Sequence, residues 1–248
     1  MKIISLLLIA MAVFITGCKK SSSGDSNSTP ATKTYLVSQV TTTSNPGTQT
    51  SVIQFTYDSK NRMVGINASG ETITYTYDDN NNLTSAVSKN STGNTLGTAT
   101  YTYSGNTITD NYVPVNGTSN IQVVYAINSE KAVQGIKYYV GNSLNASEAL
   151  NYDSKGNITR VGYCCNPADT INFTFDDKKS PFSMLGAPNF DFQFENNLSP
   201  YSYVNNIATG TPNTSSITYT YNSDGFPVTV VRIQPYVTYT DTYQYITK

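Results

Sequence analysis

A short phrase that recurs along the chain constrains its fold more than any other feature. Its first clear copy runs Phe55-Thr56-Tyr57-Asp58-Ser59-Lys60-Asn61-Arg62-Met63. The other copies lie at Tyr75–Leu83, Leu150–Ile158 and Tyr219–Phe226, with looser versions between them. Each copy is typical of a strand end, a tight turn and the start of the next strand. The sequence therefore predicts a fold built from repeated β-hairpins.

The polar centre of the phrase has the chemistry of a turn. The carboxylate of Asp58 is placed to accept the backbone N–H two residues later, and Asn61 stands where the backbone needs a positive φ. The equivalent pairs are Asp78 with Asn81, Asp153 with Gly156, and Asn222 with Gly225. One acid per hairpin is too few for a calcium cage, so we interpret these acids as turn residues and predict no catalytic role for them.

Between the turns, apolar and polar residues alternate. Ile73, Tyr75 and Tyr77 are interleaved with threonines, and the same period of two recurs in many segments. We expect an all-β domain of about 15 antiparallel strands in a meander, which exceeds what an open twisted sheet usually holds. The sheet is therefore predicted to roll into a barrel-like or flattened-barrel form, with Tyr and Phe inside. The irregular stretch Lys178–Pro188 is predicted to cover an open end.

The first residues have the features of an export signal. Lys2 precedes the apolar run Ile3–Phe14, and Ile15-Thr16-Gly17-Cys18 resembles the lipobox of bacterial lipoproteins. We predict a signal peptide over 1–17, acylation at Cys18, a flexible tether over 18–33 and a single repeat domain over 34–248. The protein is then expected in the cell envelope, on the outer membrane, facing either the periplasm or the outside.

Composition narrows the chemistry that is open to the chain. There is no histidine, so no Ser-His-Asp or Cys-His arrangement and no His-ligated metal is possible. The formal net charge is -1, and positive and negative residues are scattered along the chain, so there is no basic cluster that would bind nucleic acid. We expect no cofactor. The adjacent Cys164 and Cys165 leave three alternatives open: a vicinal disulfide, a bridge to a second chain, or two buried thiols.

The Tyr-Thr-Tyr-Asp phrase, with its turn and its following Leu or Ile, resembles the tyrosine-aspartate repeats of Rhs-type proteins. More closely, the chain is similar to bacterial lipoproteins of a domain family of unknown function described as having a porin-like fold. The resemblance is carried by Tyr75–Leu83, Leu150–Val161, Phe173–Phe182 and Tyr219–Val228. It implies a many-stranded, barrel-like antiparallel sheet with a lipid anchor, and it supplies no catalytic residues.

These observations predict a non-enzymatic envelope lipoprotein that serves as a structural or interaction module. An open interior lined by Tyr and Phe would instead suit a lipid or another apolar ligand. A glycan-binding surface and an outer-membrane pore are further alternatives, although the strands lack the Leu/Val/Ile band that a lipid-facing barrel needs. Asp169-Thr170-Ile171 also fits a short acceptor pattern for O-glycosylation in some bacteria.

Overall fold

A computed structural model describes residues 33–47, 49–117, 119–163, 170–183, 204–210, 214 and 216–248. All of them belong to one compact unit, Lys33–Lys248. The predicted signal peptide, the tether up to residue 32, Asp169, the pair Cys164 and Cys165 and residues 184–188 of the predicted excursion lie outside the described residues.

The described part of the chain contains strands and no helix, as the alternation predicted. The strands are β1 (Tyr35–Asn45), β2 (Thr50–Tyr57), β3 (Met63–Ala68), β4 (Glu71–Tyr77), β5 (Leu83–Lys89), β6 (Thr95–Ser104), β7 (Thr107–Pro114), β8 (Ile121–Ile127), β9 (Val133–Val140), β10 (Ser143–Tyr152), β11 (Ile158–Tyr163), β12 (Thr170–Asn172), β13 (Thr174–Lys179), β14 (Asn205–Thr209), β15 (Ser216–Tyr221), β16 (Pro227–Ile233) and β17 (Thr238–Thr247).

Most strands form one antiparallel meander. Fifteen of them make a single sheet in the order β12-β11-β10-β9-β8-β7-β6-β5-β4-β3-β2-β1-β17-β16-β15. The first and last strands of the chain are neighbours within it, since β1 pairs with β17 from Tyr35 opposite Thr247 to Asn45 opposite Thr238. The remaining strands, β13 and β14, form a separate two-stranded sheet. The predicted all-β meander is confirmed.

Alternation decides which face of the large sheet is buried. Phe55, Tyr75, Tyr101 and Tyr125 all point to one face and are buried, whereas the threonines between them are exposed. The buried side chains of nearly all strands belong to one hydrophobic cluster. A sheet with a single buried face can hide it only by rolling on itself or by being covered. The sheet therefore wraps its Tyr/Phe face inward, as the sequence predicted.

Two aromatic rings meet across the interior. Phe182, which follows β13, contacts Phe55 of β2, with 5.6 Å between the ring centroids and an edge-on geometry. Within the large sheet, β2 is separated from the edge strand β15 by β1, β17 and β16. The chain after β13 thus reaches into the core, which agrees with a flattened barrel. Lys178 and Lys179, expected in an irregular stretch, instead end the strand β13.

The strands define two ends of the large sheet. The proximal end is the one at which β1 begins and β17 ends, where the backbones of Thr34 and Lys248 exchange two hydrogen bonds. It carries the connections β2–β3, β4–β5, β6–β7, β8–β9, β10–β11 and β15–β16. The distal end carries the connections β1–β2, β3–β4, β5–β6, β7–β8, β9–β10 and β16–β17.

Candidate functional site

The repeated acids of the proximal end accept hydrogen bonds within their own turns. Oδ1 of Asp58 accepts the backbone N–H groups of Lys60 and Arg62, each at 2.9 Å. Asn61 closes the turn by donating its N–H to the Asp58 carbonyl at 3.1 Å, and its φ is 64°. Asp153 accepts from Lys155 and Asn157 in the same way. The interpretation of these acids as turn residues is confirmed.

Two further copies of this turn have Asn in place of Asp, as the predicted turn at Asn222 does. Asn90 and Asn128 each accept two backbone N–H groups through Oδ1, as the aspartates do. In the second turn the positive φ falls on Lys131, at 63°, a residue type that seldom adopts it. An amide oxygen therefore replaces the carboxylate without loss of the geometry. The function of the side chain here is to accept hydrogen bonds, and charge is not required.

The hydrogen bonds also set the acidity of the turn aspartates. The side-chain amide and backbone N–H of Asn82 hold the pKa of the Asp78 carboxyl below its usual range. At Asp58, burial alone would raise the pKa, but the hydrogen bonds from Arg62 and Lys60 and the charge of Arg62 outweigh it and lower the pKa. These carboxyl groups stay ionised at neutral pH, so they are poor general acids.

The small sheet β13–β14 lies between the two edges of the large sheet. Near one edge, Asn157, in the β10–β11 connection, exchanges two hydrogen bonds with Asn205 of β14: its amide Nδ2 donates to Oδ1 of Asn205 at 3.0 Å, and its Oδ1 accepts the Asn205 backbone N–H at 2.8 Å. At the other edge, the Tyr219 hydroxyl of β15 donates to the Ile207 carbonyl at 2.7 Å. The small sheet therefore bridges the gap between the two edges of the large sheet, which we call the seam.

Asp176 is the polar centre of this seam. Its carboxylate accepts the backbone N–H of Lys178 at 2.9 Å and that of Asn206 at 3.1 Å. The Asn206 side-chain amide lies 3.2 and 3.3 Å from its two oxygens, and the Tyr221 hydroxyl donates to Oδ2. Asp176 thus ties β13, β14 and β15 together. With so many donors directed at it, this carboxylate is suited to holding the seam closed.

A second polar group lies on the inner face beside the seam. Arg232 of β16 donates from Nε to Asp241 of β17 at 3.0 Å and from Nη2 at 3.1 Å, and Thr42 donates its hydroxyl hydrogen to the same carboxylate at 2.7 Å. Asp241 is only 5% exposed. Burial raises the pKa of Tyr219, and the carboxylates of Asp176 and Asp241 add to the shift. Tyr219 is therefore a neutral hydrogen-bond donor.

Strands β9 and β10 hold a third polar group on the inner face. Burial raises the pKa of Tyr138, and Glu148 adds to the shift through its charge and a hydrogen bond. Both residues lie on the inner face, because Glu148 pairs with the buried Ile136 and Tyr138 pairs with Val123. Farther along, burial raises the pKa of Tyr152 to about 12. The inner face thus combines neutral phenols with carboxylates that are hydrogen-bonded to protein groups.

The sequence did not single out Asn157, Asn205, Arg232 or Asp241. A signal existed for Asp241, which shares the alternation of the inward-facing Tyr239, Tyr243 and Tyr245. A charged residue at an inward-facing position of a strand is expected to have a buried partner. Nothing in the sequence pairs Asn157 with Asn205, which are 48 residues apart. Among the described residues, no cluster of three or more acidic or cysteine side chains could hold a metal ion.

The predicted lipidation site Cys18 and the pair Cys164 and Cys165 lie outside the described residues, so their roles stay predictions. Cys164 and Cys165 directly follow Tyr163, the last residue of β11. No helix in the described ranges has the length and apolar character to cross a membrane.

The comparisons with known proteins agree with this geometry. The family model for the RHS repeat matches residues 57–95, which run from the end of β2 to the start of β6. No curated protein matches the chain. A crystal structure of a porin-like protein from Bacteroides uniformis ATCC 8492 superposes with a TM-score of 0.53 at 16% identity, covering 85% of this chain and 98% of that one. Residues 57–95 are therefore similar to the RHS repeat, and the chain is similar in fold to a porin-like protein.

Proposed function

We propose that this protein is a lipid-anchored cell-envelope protein whose sheet domain acts as a structural or interaction module without catalysis. The observation that supports the absence of catalysis is that five well-placed carboxylates are hydrogen-bonded within the protein. Asp58, Asp78 and Asp153 accept the N–H groups of their own turns, Asp176 binds the seam and Asp241 binds Arg232. A general base needs a carboxylate that can reach a substrate proton, and each of these is directed at the protein itself.

The anchor is tested by metabolic labelling with an alkyne-bearing fatty acid in a Gram-negative host. We expect label on the wild-type chain, membrane fractionation, and loss of both in the Cys18→Ser variant. The Cys164→Ser/Cys165→Ser variant is the matched control and should keep the label. Equal labelling of the wild type and Cys18→Ser would contradict the anchor.

The absence of catalysis is tested with the turn acids. Asp78→Asn and Asp153→Asn keep the Oδ1 that accepts the backbone N–H groups of the turn, as Asn90 and Asn128 do naturally, and lose only the Oδ2 that accepts the side-chain amide of Asn82 or Asn157. These variants should fold and behave as the wild type in any assay of binding or turnover at neutral pH. An enzymatic activity that disappears in a folded Asp78→Asn protein would refute the proposal.

Transport or storage of an apolar ligand is the second candidate function. It is favoured by Tyr112 and Tyr138, which face inward and pack against the core yet remain partly exposed. Solvent therefore reaches part of the inner aromatic wall. Native mass spectrometry of protein purified without detergent tests this function. Co-purified lipid that is displaced by Tyr138→Arg supports a carrier, and a ligand-free mass with no uptake of added fatty acid rules it out.

A further inference from the structure

The connection between β7 and β8 contains the one place in the sequence where glycine directly follows asparagine, at Asn116-Gly117. Strand β7 ends at Pro114 and β8 begins at Ile121, so the pair lies outside the hydrogen-bonded ladder of the large sheet. Both residues are exposed. The amide of an asparagine reacts most readily with the backbone nitrogen of a following glycine, because glycine has no Cβ to obstruct the approach.

The backbone at Gly117 leaves this approach open. Its φ is +71, and a Cβ built on it would meet no heavy atom within 4 Å. Among the residues that the structure describes, none accepts a hydrogen bond from the Gly117 N–H, and none donates one to Oδ1 of Asn116. The backbone nitrogen of Gly117 and the side-chain carbonyl carbon of Asn116 are therefore both available to react.

A second site with related chemistry is protected by its hydrogen bonds. Asp224 precedes Gly225 in the β15–β16 connection, and an aspartate in this position can close a ring on the glycine nitrogen in the same way. Here the Gly225 N–H donates to the Asn222 carbonyl at 3.1 Å, and the Asp224 carboxylate accepts a hydrogen bond from the Tyr35 hydroxyl. Both reacting groups are occupied, so we expect this turn to be chemically stable.

The asparagines of the repeated turns are protected in a similar way. Oδ1 of Asn128 accepts the backbone N–H groups of Glu130 and Ala132, each at 2.9 Å, and Asn90 is held by an equivalent pair of bonds. These bonds fix the orientation of the side-chain amide. Serine follows both asparagines, and its Cβ hinders ring closure further. The structure thus distinguishes Asn116 from the asparagines of the repeat.

We propose that Asn116 is a site of spontaneous deamidation, which goes beyond the proposed function. The Gly117 nitrogen, after losing its proton to solvent, attacks Cγ of Asn116. The Cγ–Nδ2 bond then breaks, and the amide nitrogen leaves as ammonia. Water opens the resulting succinimide ring at either of its carbonyl carbons and leaves aspartate or isoaspartate at position 116. The reaction consumes water, releases ammonia and places a negative charge in a connection whose residues 115–120 are all uncharged.

Ageing of the purified full chain in mildly alkaline buffer, followed by proteolysis and tandem mass spectrometry, tests the proposal. Deamidation at Asn116 should be at least about tenfold faster than at Asn90 or Asn128. Gly117→Ala should slow the reaction at Asn116 at least about tenfold, because the added Cβ obstructs ring closure. The matched control is Gly105→Ala, which places alanine at another positive φ, +55, after a serine and should leave the rate unchanged.

A comparison with urea-denatured protein tests whether the folded chain leaves the site accessible. The rate at Asn116 should differ by less than about tenfold between the folded and the denatured protein. Circular dichroism establishes that each variant is folded before ageing. Survival of Asn116 in the folded protein with rapid loss in urea overturns the proposal. So does an unchanged rate in Gly117→Ala, or deamidation of Asn128 in the folded protein as fast as that of Asn116.

Discussion

Tyr77 donates a hydrogen bond from its hydroxyl group to the backbone carbonyl oxygen of Met63, 2.7 Å away and one hairpin earlier in the sequence. The relationship recurs: the Tyr103 hydroxyl bonds to the Leu83 carbonyl at 3.0 Å, and the Tyr245 hydroxyl bonds to the Pro227 carbonyl at 2.7 Å. In each case the acceptor is the first residue of a strand that follows a proximal turn. The repeat therefore fastens each hairpin to a neighbour through a tyrosine.

Replacing Tyr77 by Phe keeps the ring and removes the donor. We expect Tyr77→Phe to lower the free energy of unfolding by roughly 1–2 kcal/mol, because a half-buried carbonyl loses its partner. Urea denaturation followed by circular dichroism measures the change. Tyr236→Phe is the matched control, since Tyr236 is 91% exposed, and it should stay within about 0.5 kcal/mol of the wild type. Equal stability of both variants would show that the repeated hydrogen bond contributes nothing.

Asn61 occupies the left-handed backbone region at φ 64°. Asn61→Val should disturb folding, with a loss of more than about 1 kcal/mol, because a β-branched side chain resists positive φ. Asn61→Gly should match or exceed wild-type stability. Gly156→Val, at φ +91, should also destabilise the protein. Thermal denaturation ranks the variants, and a melting temperature for Asn61→Val as high as that of Asn61→Gly would contradict the turn assignment.

The lowered pKa of Asp78 predicts that the stability of the fold depends on pH in the acid range. The pKa of Asp78 in the folded protein lies below its ordinary value of 3.8. The ionised carboxylate therefore stabilises the fold at pH values above 3.8. This contribution is lost as the pH falls through the lower pKa of the folded protein. Replacing Asp78 and Asp153 by Asn should lower stability near pH 7, because the contribution of the carboxylates is lost, and should reduce the further loss between pH 7 and pH 3. Urea midpoints at both pH values measure the effect, and parallel losses in the variant and the wild type would contradict it.

Asn157 holds the small sheet to the large one and is 1% exposed. Asn157→Ala should lower the free energy of unfolding by roughly 2–3 kcal/mol, because it leaves buried polar groups of Asn205 without hydrogen-bond partners. Hydrogen exchange should accelerate in β14 more than in β3, because only the seam loses its bonds. Asn94→Ala, which removes an exposed side-chain hydrogen bond to Thr92, is the control and should not change exchange in β14. Uniform acceleration in all strands would refute the local role of the seam.

The ion pair of Arg232 and Asp241 is expected to show strong coupling. Asp241→Leu alone should cost roughly 3 kcal/mol, because it leaves the Arg232 charge on the inner face without its partner. Arg232→Met combined with Asp241→Leu should cost less than Asp241→Leu alone, since no uncompensated charge then remains. A double-mutant cycle in urea yields the coupling energy. Additive losses would show that the two side chains act independently.

The repeat itself could be read from the sequence because its determinants are local. An Asp or Asn that accepts two N–H groups, a positive-φ Asn or Gly and alternating Tyr and Thr specify the hairpin wherever they occur. The all-β meander and the inward direction of the aromatic face follow from them. The hairpin at Lys131 was less visible, since its positive φ falls on a lysine, a residue type that seldom adopts it.

Tertiary structure alone decided how the sheet is completed. Three kinds of contact join residues far apart in sequence: the pairing of β1 with β17, the hydrogen bonds of Asn157 with Asn205, and the hydrogen bond from Thr42 to Asp241. Such contacts depend on the register of the whole sheet, which no single hairpin contains. The sequence by itself determined the repeating unit and its buried face, whereas the closing contacts arise only when all the repeats are assembled.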